Sequence, residues 1–157
     1  MYDSHREMIE ALRATPETLD GLLCGLDAGR VRAARGGDEG WSVVEVVCHL
    51  RDCEEIAIGR MRAMRDADNP PISGFDQEAL ARDRDYAADD LGAALESFRR
   101  LRATHTTELA ALAPAAWDRP GRHSEMGDIS IAGHTLHIVW HDAIHMAQIA
   151  RNLQWAT

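Results

Sequence analysis

The sequence has few cysteines, no lysine and no long apolar run. Its three cysteines, Cys24, Cys48 and Cys53, are odd in number and show no C-x-x-C spacing, which argues against both a disulfide framework and a zinc knuckle. No run approaches the roughly 18 apolar residues of a membrane-spanning helix, and the N-terminus lacks the basic and apolar regions of a signal peptide. We therefore expect a soluble protein of the reducing cytoplasm, with no membrane partner.

Net positive charge is also absent. The 17 basic residues, all arginine, are outnumbered by 26 acidic ones, which gives a formal charge of -9. No basic stripe is localised along the chain, so this balance argues against a nucleic-acid partner. The 157 residues, 45% of them hydrophobic, are enough to bury a core without disulfides or a structural metal. We expect one domain over residues 1–157, in which any metal is functional rather than structural.

Apolar residues recur at helical spacing in four stretches, and no stretch alternates convincingly as a strand would. A cap and proline at Thr15-Pro16 allow a bend or restart in the first helix, Ser42-Val43-Val44-Glu45 is a capping box, and Ser130 caps the last helix. The expected helices cover about residues 3–27, 42–66, 89–112 and 130–153. Long irregular connections join helices 2 and 3 (69–88) and helices 3 and 4 (around 117–128). This pattern predicts an all-α four-helix bundle.

Polar residues form one stripe along the last helix. At about 100° of rotation per residue, six of them fall within roughly 80° of one another. They are His134, His137, His141, His145, Gln148 and Asn152. Apolar residues border the stripe, and a solvated face would carry Arg and Glu rather than imidazoles. We therefore expect the stripe to face the bundle interior.

Two histidines of this stripe have the spacing of metal ligands. His141 and His145 are four residues apart, so their rings lie one turn apart and can bind the same ion. The third ligand must come from elsewhere, and His49 in the second helix is the best candidate. Three neutral imidazoles suit a borderline divalent ion, Zn or Ni first, and leave positions open for water or substrate.

The order of motifs over about residues 5–153 resembles the DinB-like family of metalloenzymes. The matching motifs are Trp41-Ser42-x-x-Glu45-Val46-x-x-His49-Leu50-x-Asp52-x-Glu54, then Trp117, His123-x-x-x-Gly127 and His137-Ile138-x-x-His141-Asp142-x-x-His145-x-x-Gln148-Ile149. The resemblance implies a four-helix bundle, often a homodimer, with one metal on His49, His141 and His145. It also implies that some relatives transfer or isomerise groups with a low-molecular-weight thiol.

Three functions follow as hypotheses. The first is a transferase or isomerase in which a metal-activated low-molecular-weight thiol attacks an electrophilic small molecule. The second is a hydrolase that uses water activated at the metal. The third is a non-enzymatic metal-binding sensor or interaction module, which a fourth protein ligand such as His137 would favour by closing the site. A bundle that binds no metal also stays open.

Two carboxylates near His49 are candidate catalytic residues. Glu45 lies one turn before His49 and Asp52 nearly one turn after it, so either is a candidate to orient the imidazole or act as a base. Glu45 also has a complete structural explanation in the capping box.

Further residues are expected to contact the cofactor or substrate. Arg60, two to three turns beyond His49 on the same side, suits an anion, while His137 and Gln148 flank the histidine pair. Cys53 lies one turn from His49. Its thiol is either a buried free cysteine or a metal-ligating or redox-active group. His123 lies in a connection that can approach the mouth of the bundle.

Overall fold

The computed structural model describes residues 4–35 and 40–155. The helices of this part are α1 (Ser4–Leu23), α2 (Ala28–Ala33), α3 (Val43–Asp66), α4 (Gln77–Asp83), α5 (Leu91–Ala110) and α6 (Ile131–Trp155), and its strands are β1 (Pro71–Ile72), β2 (Pro120–His123) and β3 (Gly127–Ser130). The long helices α1, α3, α5 and α6 form a bundle in which α3 packs on α5 and α6, and α1 packs on the same two helices. The predicted four-helix bundle is confirmed. None of the described helices combines the length and apolarity needed to cross a bilayer.

The helix starts follow the capping signals of the sequence. The Glu45 amide donates to Ser42 Oγ over 3.3 Å, and Glu45 Oε2 accepts from the Ser42 amide over 2.7 Å, so both halves of the capping box form. Asp90 and Ser130 each accept a hydrogen bond from the amide three residues later, at 2.8 and 3.1 Å. These bonds satisfy amides that the first turn of a helix leaves without partners.

The first helix runs through Pro16 without a restart. A proline at this position leaves the carbonyl of Leu12 without its helical partner. That carbonyl accepts a hydrogen bond from Arg102 Nη1 at 2.8 Å instead. The predicted end near residue 27 is one turn too late, since α1 ends at Leu23 and Gly25 follows with a φ of 75°.

The predicted connections contain more structure than expected. The short helix α2 lies between the first and second predicted helices, where no helix was expected, and residues 36–39 of this connection lie outside the described residues. Strands β1 and β2 pair in parallel, with Pro71 opposite Arg122, and β2 pairs antiparallel with β3. The prediction of irregular connections without strands was therefore wrong here. Strands of two and four residues are too short to show an alternating pattern.

A buried polar layer divides the core into two apolar halves. One half includes Leu19, Leu50 and Phe98, and the other includes Leu12 and Met61. Between these halves along the four helices lie buried polar side chains: Thr15, His49, Asp52, Glu54, Arg102, His105, Thr106 and Asp142. The layer places ionisable groups at mid-bundle, where each must find a partner because water does not reach them.

Candidate metal centre

Three imidazoles meet between α3 and α6, and two of them, those of His49 and His141, line a cavity. Nε2 of His141 lies 3.0 Å from Nε2 of His49 and 3.2 Å from Nε2 of His145. The rings of His49 and His145 have centroids 4.7 Å apart. Nitrogens bound tetrahedrally to one zinc at about 2.0–2.1 Å are about 3.3–3.4 Å from each other. The two Nε2–Nε2 distances at His141 are therefore close to those of ligands that share one ion, and the set of three histidine ligands stays a prediction.

Gln148 orients one of these rings. Its Oε1 accepts a hydrogen bond from His145 Nδ1 over 2.7 Å, because an amide oxygen can only accept. Nδ1 of His145 therefore carries the proton, and Nε2 presents its lone pair towards His141. This hydrogen bond fixes the tautomer of His145, as groups behind metal-bound histidines commonly do, and the predicted cofactor contact of Gln148 stays a prediction.

Burial keeps the three rings neutral. It is the main cause that lowers the pKa of His49 and His141 to about 3, and nearby imidazoles act in the same direction. Burial also lowers the pKa of His145, against the opposing effects of Gln148 and Asp142. Because a metal binds only the neutral form of histidine, the site needs no proton release from these rings at neutral pH.

Cys53 is a fourth side chain within reach of the same point. Its Sγ lies 3.5 Å from Nε2 of His49, and His49, Cys53 and His141 each offer a ligand atom within 4.8 Å of the others. Burial first, and then the charge of Asp52, raises the pKa of the Cys53 thiol to about 12. The thiol thus stays protonated unless a bound cation displaces its proton. We take the three neutral imidazoles as the primary ligands and Cys53 as the group able to close the site.

The imidazoles of His49 and His141 open onto a cavity of 360 Å³. His49, Cys53 and His141 line one part of it, and Arg60 and His137 line it as well, as the sequence predicted for substrate contacts. His123 and His134 also lie on its wall, and neither was proposed as a ligand. A cavity of this size holds one small molecule.

Comparison with known proteins gives the family. The model of the DinB superfamily matches residues 11–149. This chain belongs to the DinB superfamily. A protein of Oceanobacillus iheyensis named "Putative metal-dependent hydrolase" is 28% identical over 144 residues, 91% of this chain and 82% of that protein. A protein of Geobacillus thermodenitrificans, also named "Putative metal-dependent hydrolase", is 26% identical over 147 residues, 92% of this chain and 81% of that protein.

A solved structure shares the fold of this DinB-superfamily chain. YfiT from Bacillus subtilis, described as "a probable metal-dependent hydrolase with an unusual four-helix bundle topology", superposes with a TM-score of 0.89 at 22% identity. The match covers 96% of this chain and 86% of that one. The match of the family model over residues 11–149 confirms the family resemblance of the sequence. The likeness to the solved structure shows the fold.

The two carboxylates predicted as catalytic have other partners in this DinB-superfamily chain. Glu45 takes part in the capping box of α3 and forms an ion pair with Arg35 at 3.1 Å. Asp52 accepts a hydrogen bond from the Tyr86 hydroxyl at 2.5 Å and pairs with two arginines at 2.8 Å each. Neither belongs to the described side chains that line the cavity. Their catalytic roles stay predictions.

Arg102 anchors a polar network behind the metal ligands. Its Nη1 donates to Asp142 Oδ2 over 2.6 Å and its Nη2 to Glu54 Oε2 over 2.9 Å. Thr15 donates to the same oxygen of Asp142 at 2.8 Å, and His105 Nδ1 donates to Glu54 Oε1 at 2.8 Å. Two carboxylates and one guanidinium leave a net charge of about -1 next to the ligand-bearing turns. In this buried setting that charge favours a nearby cation.

The sequence contains a signal for this network that apolar periodicity does not reveal. The core face of α5 follows the series Leu95, Phe98, Arg102, His105 and Leu109, which has the 3–4 spacing of a buried stripe. Leu101, which also follows the apolar period of this helix, is only partly buried. Apolar periodicity alone overlooked the arginine and histidine that occupy the middle of the stripe.

Proposed function

We propose that this chain is a metal-dependent hydrolase that acts on a small carbonyl compound. The observation that carries the proposal is the meeting of three neutral imidazoles, two of which, those of His49 and His141, line a 360 Å³ cavity. A divalent ion bound there would polarise a carbonyl group and lower the pKa of a water molecule towards neutrality. The names of the relatives from Oceanobacillus iheyensis and Geobacillus thermodenitrificans support the same class of reaction.

The surrounding side chains suit this task. His49, His141 and His145 would hold the ion, which we propose to be Zn or Ni, and Gln148 keeps His145 in the tautomer that binds. His137 lies on the cavity wall with its ring centroid 6.2 Å from that of His141. We assign it the role of accepting the proton that the attacking nucleophile gives up, a common role for histidine.

A thiol-dependent transferase or isomerase is the second candidate. Arg60 favours it, because this cation on the cavity wall is able to bind a carboxylate of a low-molecular-weight thiol. We rank the thiol-dependent enzyme second because a cavity of 360 Å³ leaves little room for such a thiol together with an electrophile. A sensor ranks third, and Cys53 rather than His137 is the side chain placed to close the site for that role.

Turnover with and without metal tests the proposal. We expect protein loaded with Zn or Ni to hydrolyse members of a panel of small activated esters and amides, and stripping by a chelator to lower the rate by about 100-fold or more. Returning the metal should restore the rate. Equal rates in stripped and loaded protein would refute the hydrolase. A rate that requires added bacillithiol, mycothiol or glutathione and yields a thiol adduct would establish the second candidate instead.

A homodimer in the cytoplasm is also proposed. Leu136, Trp140 and Ile144 form a stripe on α6 with exposed fractions of 59%, 60% and 40%, and such an apolar stripe suits self-association. The three unpaired cysteines fit a reducing compartment. Light scattering should give twice the chain mass of 17.4 kDa. The mass of a single chain at micromolar concentration would contradict the dimer.

A further inference from the structure

His123 has a defined tautomer. Its Nδ1 accepts hydrogen bonds from the amides of Glu125 at 3.1 Å and Met126 at 3.3 Å. A ring nitrogen that accepts must present its lone pair, so the proton of the neutral ring lies on Nε2. Burial, and then the charge of Arg60, lowers the pKa of His123, which keeps the ring neutral. His123 therefore presents an N–H donor.

That donor has no partner in the described part of the chain. The side chain of His123 is 4% exposed, and its Nε2 makes no hydrogen bond. The same holds for Nε2 of His134, which is 2% exposed. Both residues line the cavity. Buried polar groups in native proteins are usually paired, so two unpaired nitrogens on one cavity wall indicate a ligand that pairs with them.

Arg60 adds a positive charge to this wall. Its Nη2 donates to the carbonyl of Ser73 at 2.7 Å, and its guanidinium lies 5.7 Å from the ring centroid of Phe75. It makes no other hydrogen bond with the described residues. The guanidinium is therefore held in place while most of its N–H groups stay available. Arg60, His123 and His134 all line this cavity, and the charge of Arg60 contributes to lowering the pKa of both histidines.

These groups are separate from the metal ligands. His134 precedes His141 by seven residues, about 10 Å along α6 at 1.5 Å per residue. His137 lies between them and influences the pKa of His141 on one side and of His123 and His134 on the other. One cavity thus has a cationic, donor-rich wall and a cluster of metal ligands.

We propose that Arg60, His123 and His134 form a subsite for a carboxylate group of the substrate. Arg60 supplies the countercharge, His123 Nε2–H donates to one carboxylate oxygen, and His134 donates through Nε2 in the matching tautomer. Glu125 on the same wall offsets part of the arginine charge, which favours a monoanion over a phosphate dianion. The inference rests on the proposed function only in taking this cavity as the substrate site. The substrate is then a carboxylate-bearing compound whose reacting bond lies several bonds from that group.

Acetate binding to the metal-free protein tests the subsite. Acetate is titrated into chelator-treated protein while long-range ¹H–¹⁵N spectra follow the histidine side chains, with neutral acetamide as the matched ligand. We expect the spectra to show His123 as the Nε2–H tautomer and its Nε2 signal to shift saturably with acetate but not with acetamide. His123→Ala and Arg60→Gln should each weaken acetate binding by about tenfold.

Further variants separate a binding role from a structural one. His123→Gln keeps an N–H donor near the same position and should recover part of the affinity. His5→Ala, which removes an imidazole that stacks on Trp117 outside the cavity, should bind acetate like the parent. Thermal unfolding of each variant identifies any loss caused by misfolding, and His123→Gln then decides the result.

Several results would overturn the subsite. These are an Nδ1–H tautomer of His123, equal binding of acetate and acetamide, unchanged binding in His123→Ala, or tighter binding of inorganic phosphate than of acetate. The metal proposal is tested by separate measurements. His141→Ala should still bind acetate, and an absence of metal-dependent turnover would leave the acetate result standing.

Discussion

His141→Ala should bind Zn and Ni at least about 100-fold more weakly than the parent, because it removes the nitrogen that lies next to both other ligands. Changing a residue that only orients a ligand typically costs 10- to 100-fold in affinity, so Gln148→Ala should fall in that smaller range. We expect plasma mass spectrometry of untagged parent protein, purified without added metal, to find close to one ion per chain. The His141→Ala and His49→Ala variants should retain almost none.

His5→Ala is the matched control for this metal measurement, because His5 stacks on Trp117 and lies outside the ligand cluster. It should keep the parental metal content. Metal content unchanged in His141→Ala, or absent from the parent after incubation with Zn and Ni, would refute the centre.

Cobalt substitution extends the same experiment to Cys53. The proposed hydrolase requires that Cys53 stays protonated beside the bound ion and leaves a coordination position open. We therefore expect the cobalt protein to lack a thiolate-to-cobalt charge-transfer band and to have the same spectrum as Cys53→Ser. A band that disappears in Cys53→Ser would show a closed site with three nitrogens and one sulfur. That result would contradict the hydrolase and favour the sensor.

Arg102→Met should lower the free energy of unfolding by about 3–5 kcal/mol, because it leaves the carboxylates of Glu54 and Asp142 buried without their cation. Arg102 is only 2% exposed, so water cannot replace the lost charge. The variant also removes the donor to the Leu12 carbonyl that Pro16 leaves unpaired. For a chain of this size the loss corresponds to a fall in melting temperature of roughly 6–20 °C. Urea unfolding followed by circular dichroism measures the change.

The pH dependence distinguishes a charge effect from lost packing. In the parent, burial acts to raise the pKa of Glu54, but Arg102 and His105 together hold it below its usual value. Without Arg102 the burial effect should prevail, so the folded variant binds protons more readily than its unfolded chain. Its stability then rises as the pH falls, and the deficit relative to the parent should shrink from pH 7 to pH 5.

Arg100→Ala is the matched control for Arg102, since Arg100 is an exposed arginine of the same helix. Its stability should change by no more than about 0.5 kcal/mol. A similarly small change in Arg102→Met, or a deficit independent of pH, would show that the buried ion pairs do not carry the stability assigned to them.

Local signals in the sequence were enough to predict the long helices and the three histidines. Capping residues act within three residues of their partners, and the spacing of His141 and His145 fixes their rings on one face of any helix that contains them. The third histidine, His49, was the best candidate in the capped second helix, and the resemblance to the DinB-like family implies the same residue. These features depend on short stretches of chain, so they survive without knowledge of the packing.

The sequence by itself therefore determined the all-α bundle, the family and the inward-facing histidine stripe. Tertiary structure alone decided that Arg102 replaces the helical partner of the Leu12 carbonyl. It also decided that the strand carrying His123 reaches the cavity wall. Each of these contacts joins different elements or depends on how a side chain packs. Helical periodicity specifies which face of an element is buried, but only the packing of the elements decides which groups meet there.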